Sequence, residues 1–207
     1  MEIFKVLFVI AIVGHLICGV CDCLITYVPG GKKFDFKQMS DNEKMSETFA
    51  RMPLKNVVIS MVLGVAALSM ILAGYYGMYL WMKEYSNVSS ILILIGAALF
   101  ATFGTAHHVF CGVAEWFYIR FGMTEDALKG VVEFFKATAS TMIVCYVGML
   151  LAGVALFVPI VTGATSLPVW ACIFNAVPLT LIFTPFRIGG TGNWCGAVMF
   201  VALLVMV

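Results

Sequence analysis

Five ionisable side chains sit inside apolar runs of this chain: His15, Asp22, His107, His108 and Glu115. Arg187 stands at the foot of another such run. A charge at bilayer depth costs about 2.5–3.5 kcal/mol on insertion scales, so such residues mark functional sites by default. All three histidines of the chain are among them. In Gly14-His15-Leu-Ile-Cys18-Gly-Val-Cys21-Asp22, positions 15, 18 and 22 share one helix face. In His107-His108-Val-Phe-Cys111-Gly-Val-Ala-Glu115, positions 108, 111 and 115 do the same, with 107 one turn before 111. Each stripe carries imidazole, thiol and carboxylate.

Facing stripes would support several kinds of chemistry. Asp22, His107, His108 and Glu115 could move protons on an apolar substrate arriving from lipid. His15, Cys18, His107, His108 and Cys111 could hold a metal, since imidazole and thiolate suit zinc or copper. A catalytic zinc would activate water for attack on a lipid ester or amide. The chain has neither an HExxH motif nor paired CxxC motifs. Haem would need two opposed histidines at one depth, His15 with His107 or His108. Arg187 suits a carboxylate or phosphate, Asn193 a polar group, and Trp116 and Trp194 a flat or cationic one. The run Arg187-Ile-Gly-Gly-Thr-Gly-Asn193 either presents backbone N–H groups to an anion or allows close packing. A purely structural alternative pairs Asp22 with Arg187 and bonds the histidines to backbone carbonyls. Cys18 and Cys21 form a CxxC, but i,i+3 spacing on a helix does not suit a disulfide. The seven cysteines read as small apolar residues.

These side chains must be positioned by long apolar helices. The chain has 207 residues, 62% of them hydrophobic and 11% charged, with a net charge of +1. Its mean hydropathy is +1.04. Soluble domains are about 45–50% apolar and about 25% charged, so a soluble globular fold, a disordered chain and a nucleic-acid binder are excluded. A span needs about 20 apolar residues. Six stretches qualify: 3–28, 54–82, 88–118, 137–160, 167–186 and 188–207. The first is too long and too polar for a cleaved signal peptide. Continuous rather than alternating apolar runs exclude a β-barrel. The expected fold is therefore all-α, a single six-helix transmembrane bundle.

Two polar loops, 30–53 and 119–136, fall on one side. With six spans, that side holds Lys32, Lys33, Lys37, Lys44, Arg51, Lys55, Arg120, Lys129, Lys136 and Arg187, against Lys5 and Lys83 on the other. The positive-inside rule makes the first side cytoplasmic and puts both termini outside. Pro29-Gly30-Gly31 signals a turn, and Ser40-Asp41-Asn42-Glu43 has capping-box spacing, which predicts a short interfacial helix over 41–51. The spacing of Leu128, Val131, Val132 and Phe135 predicts a second helix, running along the interface from Thr124 into the fourth span. Gly148 with Ala152 and Gly192 with Gly196 read as internal packing steps. Pro168, Pro178 and Pro185 break or kink the fifth span. At a rise of about 1.5 Å per residue, His15 lies near the midplane, and Asp22, His107, His108, Glu115 and Asn193 lie in the inner half. Their convergence predicts a polar pocket between spans one, three and six, open to the cytoplasm.

Gly19-x-x-Asp22 in the first helix, the basic loop after it, and Arg187-x-Gly-Gly-x-Gly-Asn193 opening the last helix resemble a group of six-span bacterial integral membrane proteins of uncharacterised activity. That resemblance implies a bacterial inner (plasma) membrane and no particular reaction. The residues themselves point to a membrane-embedded enzyme acting on a lipid-like or amphipathic substrate. The alternatives are a small-solute or metal-ion transporter and a non-catalytic membrane assembly protein. Expected partners are membrane lipids and a lipid-like or small-molecule ligand, not nucleic acid, with a homo-oligomer compatible with the pattern.

Overall fold

The computed structural model describes residues 2–207 and is almost entirely helical. Helix α1 spans Ile3–Thr26 and α2 Asn42–Phe49. Helices α3 (Leu54–Met82), α4 (Asn87–Arg120) and α5 (Glu125–Val161) follow. Helix α6 is Ala176–Phe183, and α7 is Thr191–Met206. Four of them, α1, α3, α4 and α5, are long and apolar enough to cross a membrane. The chain alternates in direction from one to the next.

Two ends result. At one, Asn42 donates to the Met123 carbonyl at 3.2 Å, and Arg187 pairs with Asp35 at 2.8 Å, so the segments 27–53, 121–124 and 184–190 gather there. This is the basic end. At the far end the Tyr85 hydroxyl donates to Ser166 at 2.8 Å, joining the connections after α3 and α5.

The apolar stretch 167–186 is not one helix. It runs as a 3-10 turn over Val169–Phe174, then α6, then a 3-10 turn over Thr184–Phe186. Proline lacks the N–H that a helix interior needs, and its ring clashes with the carbonyl four residues back. Pro168 therefore precedes the first turn, and Pro185 sits in the last. Pro178 is tolerated only because it falls in the first turn of α6. Asn175 caps α6 by accepting from the Val177 N–H at 3.0 Å. Its amide donates to the Gly153 carbonyl at 2.8 Å and fastens the break to α5.

Helix α5 absorbs the second expected interfacial helix. It runs unbroken from Glu125 for 37 residues, about 55 Å, and Thr124 caps it by accepting from the Ala127 N–H at 3.2 Å. Its first turns do not lie free along an interface. Leu128 and Val131 pack into an apolar cluster with Met45, Phe49, Val57 and Tyr118 at the basic end. The same cluster covers the apolar face of α2, so this part of the 30–53 loop is packed against the bundle. The helix cap also differs in detail. Asp41, not Ser40, caps α2 by accepting from Lys44 N–H, and the capping box lies one turn earlier, between Asp35 and Gln38. Gly30 and Gly31 take positive φ in the three-residue loop Pro29-Gly30-Gly31 that closes a short hairpin, β1 (Tyr27–Val28) against β2 (Lys32–Lys33).

A second, larger core fills the bundle itself, with Phe8, Ile71, Met78, Trp81 and Phe200 fully or almost fully buried. Helices α4 and α5 close on each other through small residues. A side chain at Gly96 would collide with the backbone of Gly148 and Ala152, at 2.7 and 2.6 Å. The Gly148–Ala152 step is thus an internal contact, as its spacing predicts.

Candidate functional site

Four helices place a connected row of polar side chains. His15 and Asp22 come from α1, Ser60 from α3, His108 from α4 and Asn193 from the first turn of α7. Hydrogen-bond direction along this row follows from chemistry alone. An ionised carboxylate only accepts, so the 2.7 Å contact to Asp22 Oδ2 comes from the Asn193 Nδ2 amide. Asn193 Oδ1 is then an acceptor, and His15 Nδ1–H donates to it at 3.1 Å. From the other side, the Ser60 hydroxyl donates to the Cys21 carbonyl at 2.9 Å. His108 Nε2–H donates to the Ser60 carbonyl at 3.0 Å. The two ends of the row meet where His108 Nδ1 lies 3.4 Å from Asp22 Oδ1. Neither atom carries a hydrogen when the imidazole is neutral and the carboxylate ionised. The arrangement therefore calls for one positive charge at that point, a proton or a cation.

Glycines make the row possible. A Cβ on Gly64 would lie 2.2 Å from His108 Nε2, and one on Gly196 would lie 2.3 Å from His15 Cε1. Each imidazole thus rests directly on a helix backbone. His15 is 2% exposed, His108 8%, and the Asp22 side chain 25%. Asp22 is more open to its surroundings than either imidazole.

What it opens to is a cavity of about 800 Å3. His15, Cys18 and Asp22 line it from α1, and His107, His108 and Cys111 from α4. Asn193 lines it from α7, Cys145 and Tyr146 from α5, and Thr180 from α6. Its mouth is at the basic end, among Lys33, Asp35 and Arg187. Its blind end lies at Leu68, Tyr75 and Phe100. There a chain of tilted and edge-on rings begins, Phe100–Tyr75–Phe200–Phe8, with centroids 5.9, 5.4 and 5.6 Å apart. This aromatic plug lies between the cavity and the far end.

His107 and Cys111 form a pair of their own. Nε2 lies 3.6 Å from the thiol and Nδ1 3.4 Å from the Thr141 hydroxyl on α5. Three expected residues stand outside the cavity wall. Glu115 is buried one turn below Cys111, and its Oε2 has no partner among the described residues. The Trp194 indole N–H donates to the Gly189 carbonyl at 2.8 Å, with its ring over Gly19. Trp116 stacks edge-on against Phe117, with ring centroids 5.3 Å apart. Arg187 is at the mouth, but its guanidinium already holds Asp35, and Asp22 is not its partner. Lys33 donates to the Arg187 carbonyl, which adds a second tie across the mouth. The Asp35 carboxyl is held below the usual aspartate range by the Lys37 N–H first, against an opposing cost of desolvation, with the charge of Arg187 adding a smaller lowering effect.

Ser60 is the participant that sequence reasoning passed over. Its one signal is a hydroxyl four residues before a glycine in an apolar run, a spacing that brings carbonyl and open backbone to the same place.

No curated protein and no solved structure matches the chain. A family model does match, over residues 1–206. The chain belongs to that family, described as a family of unknown function (DUF6796).

Proposed function

We propose that this chain is an integral membrane enzyme acting on a lipid-like or amphipathic substrate at the Asp22–His108 edge of the cavity. One observation carries the reading. A hydrogen-bonded row built from four helices delivers the Asp22 carboxylate and the His108 imidazole to a cavity wall, with Oδ1 and Nδ1 3.4 Å apart. A positive charge held between them gives the site a proton to donate or a centre that polarises water. The wall opposite is apolar and thiol-lined, which suits an acyl or similar chain, while the charged mouth suits a polar head.

In this reading the protein crosses the membrane six times. Helices α1, α3, α4 and α5 make four crossings. The broken segment 169–186 and α7 make two more. At about 24 Å, α7 is somewhat short for a hydrocarbon core of about 30 Å, a mismatch that local thinning accommodates. The basic end faces the cytoplasm, and both termini face outward. The aromatic plug favours an enzyme over a transporter, since a transporter needs a route to the far end.

The test is comparative lipid mass spectrometry on proteoliposomes carrying wild type or Asp22→Asn. Wild type is expected to convert at least one lipid species, and Asp22→Asn to lose about 10²-fold or more of that rate, the usual scale for a lost acid–base group. Net solute uptake without any chemical change would instead establish transport.

A further inference from the structure

We infer that a divalent transition metal of the zinc class binds between Cys18, Asp22 and His108. The inference rests on the proposal that this edge of the cavity is the reactive centre, and it names the charge held there. One ligand atom from each of the three residues lies within 4.8 Å of the other two.

The 3.4 Å gap between His108 Nδ1 and Asp22 Oδ1 fits two ligands of a metal better than a shared proton. A charge-assisted N–H···O contact is about 2.7–2.9 Å long. Zinc binds nitrogen and carboxylate oxygen at about 2.0–2.2 Å, and at a tetrahedral angle these bonds put the two ligand atoms about 3.4 Å apart. The observed spacing is that of two ligands around one ion. Cys18 supplies the third, a thiolate one helical turn before Asp22 on the same face of α1.

The surroundings have the form that metal ligands require. A ligating imidazole ordinarily donates its other N–H to a carbonyl or carboxylate, which fixes the tautomer. His108 does so through Nε2–H to the Ser60 carbonyl, and the Gly64 backbone leaves room for it. A ligating carboxylate is likewise held by its second oxygen, and Asn193 holds Asp22 Oδ2. Three protein ligands leave the fourth zinc position open, and here it faces the cavity, where a water or a substrate oxygen can occupy it. The set differs from the one expected from sequence. His15 serves the row through Asn193, and His107 with Cys111 forms a separate pair.

Cobalt(II) titration of metal-stripped wild-type protein in mild detergent tests the site by absorption. The expected result is one cobalt per chain, with the intense d–d bands of a tetrahedral ion and a thiolate-to-cobalt charge-transfer band. Cys18→Ser should lose the charge-transfer band, and Cys111→Ser should keep it. Asn193→Ala should weaken cobalt binding about 10–100-fold, the usual effect of removing a group that steadies a ligand. Wild type that takes up no cobalt overturns the inference. So does a charge-transfer band that survives Cys18→Ser but disappears in Cys111→Ser. Circular dichroism of each variant separates a lost ligand from a lost fold. If cobalt does not bind but Asp22→Asn still abolishes lipid conversion, the metal is wrong and the enzyme reading stands with a proton on His108. If cobalt binds as described and no lipid is converted, the metal site stands and the enzyme reading falls.

Discussion

At the scale of single residues, Gly64 and Gly196 matter as much as the histidines they carry. Both imidazoles occupy the space a side chain would need. Gly64→Ala should therefore push His108 off the Ser60 carbonyl and destabilise the fold by about 1–3 kcal/mol, the usual cost of overpacking. Thermal unfolding in detergent reads this as a lower midpoint. An unchanged midpoint with unchanged cavity chemistry would show that His108 has another place to go. Positions 15, 18 and 22 on one face of α1 are legible in the sequence, because helical period alone puts them there. So is the later arrival of Asn193 at the same depth. The role of Ser60 is not legible, because the group that binds His108 is its backbone carbonyl. Every residue has one, and no residue type advertises its use. Glu115 shows the opposite limit. It shares the helical stripe of His108 and Cys111, yet one more turn toward the basic end takes it out of the cavity lining and into the packed interior.

At the scale of elements, a strap lies across the edge of the mouth. The 3-10 turn Phe36–Ser40 carries Asp35 at its cap, and Asp35 holds Arg187 just before α7 begins. Both side chains are substantially exposed, so the pair is held by geometry more than by strength. The folded Asp35 carboxyl lies below its usual range. Its contribution is therefore present at neutral pH and lost as pH falls through and beneath the ordinary aspartate range. Hydrogen exchange should show the backbone of Lys37 and the start of α7 opening faster under acid, and Asp35→Asn should show the same opening already at neutral pH. Protection that is equal in both proteins would mean that the strap does not govern the mouth. The boundaries of α3 are legible to the residue from Leu54 to Met82, since Pro53 starts the run and polarity stops it. The 167–186 stretch is legible only in composition. Its prolines announce a break, but where the helix resumes depends on Asn175 reaching the Gly153 carbonyl on another helix. The packed α2 is likewise a tertiary result, because its apolar face is covered by α4 and α5 rather than by lipid headgroups.

At the scale of the whole molecule, the two cores divide the work. The far-end core, with its chain of four aromatic rings, is solid, while the cavity occupies the middle and opens toward the basic end. A space of about 800 Å3 is the size of a small-molecule site and large enough for much of a lipid chain. The measurement that tests the central claim most directly is native mass spectrometry of the intact protein released from mild detergent, compared with Thr180→Trp. That substitution projects an indole into the cavity from α6, obstructing it, at a position outside the polar row. Wild type is expected to carry an amphipathic molecule of discrete mass, and Thr180→Trp to be folded and free of it. A wild-type protein that carries nothing, or an adduct that persists unchanged in Thr180→Trp, would contradict the account.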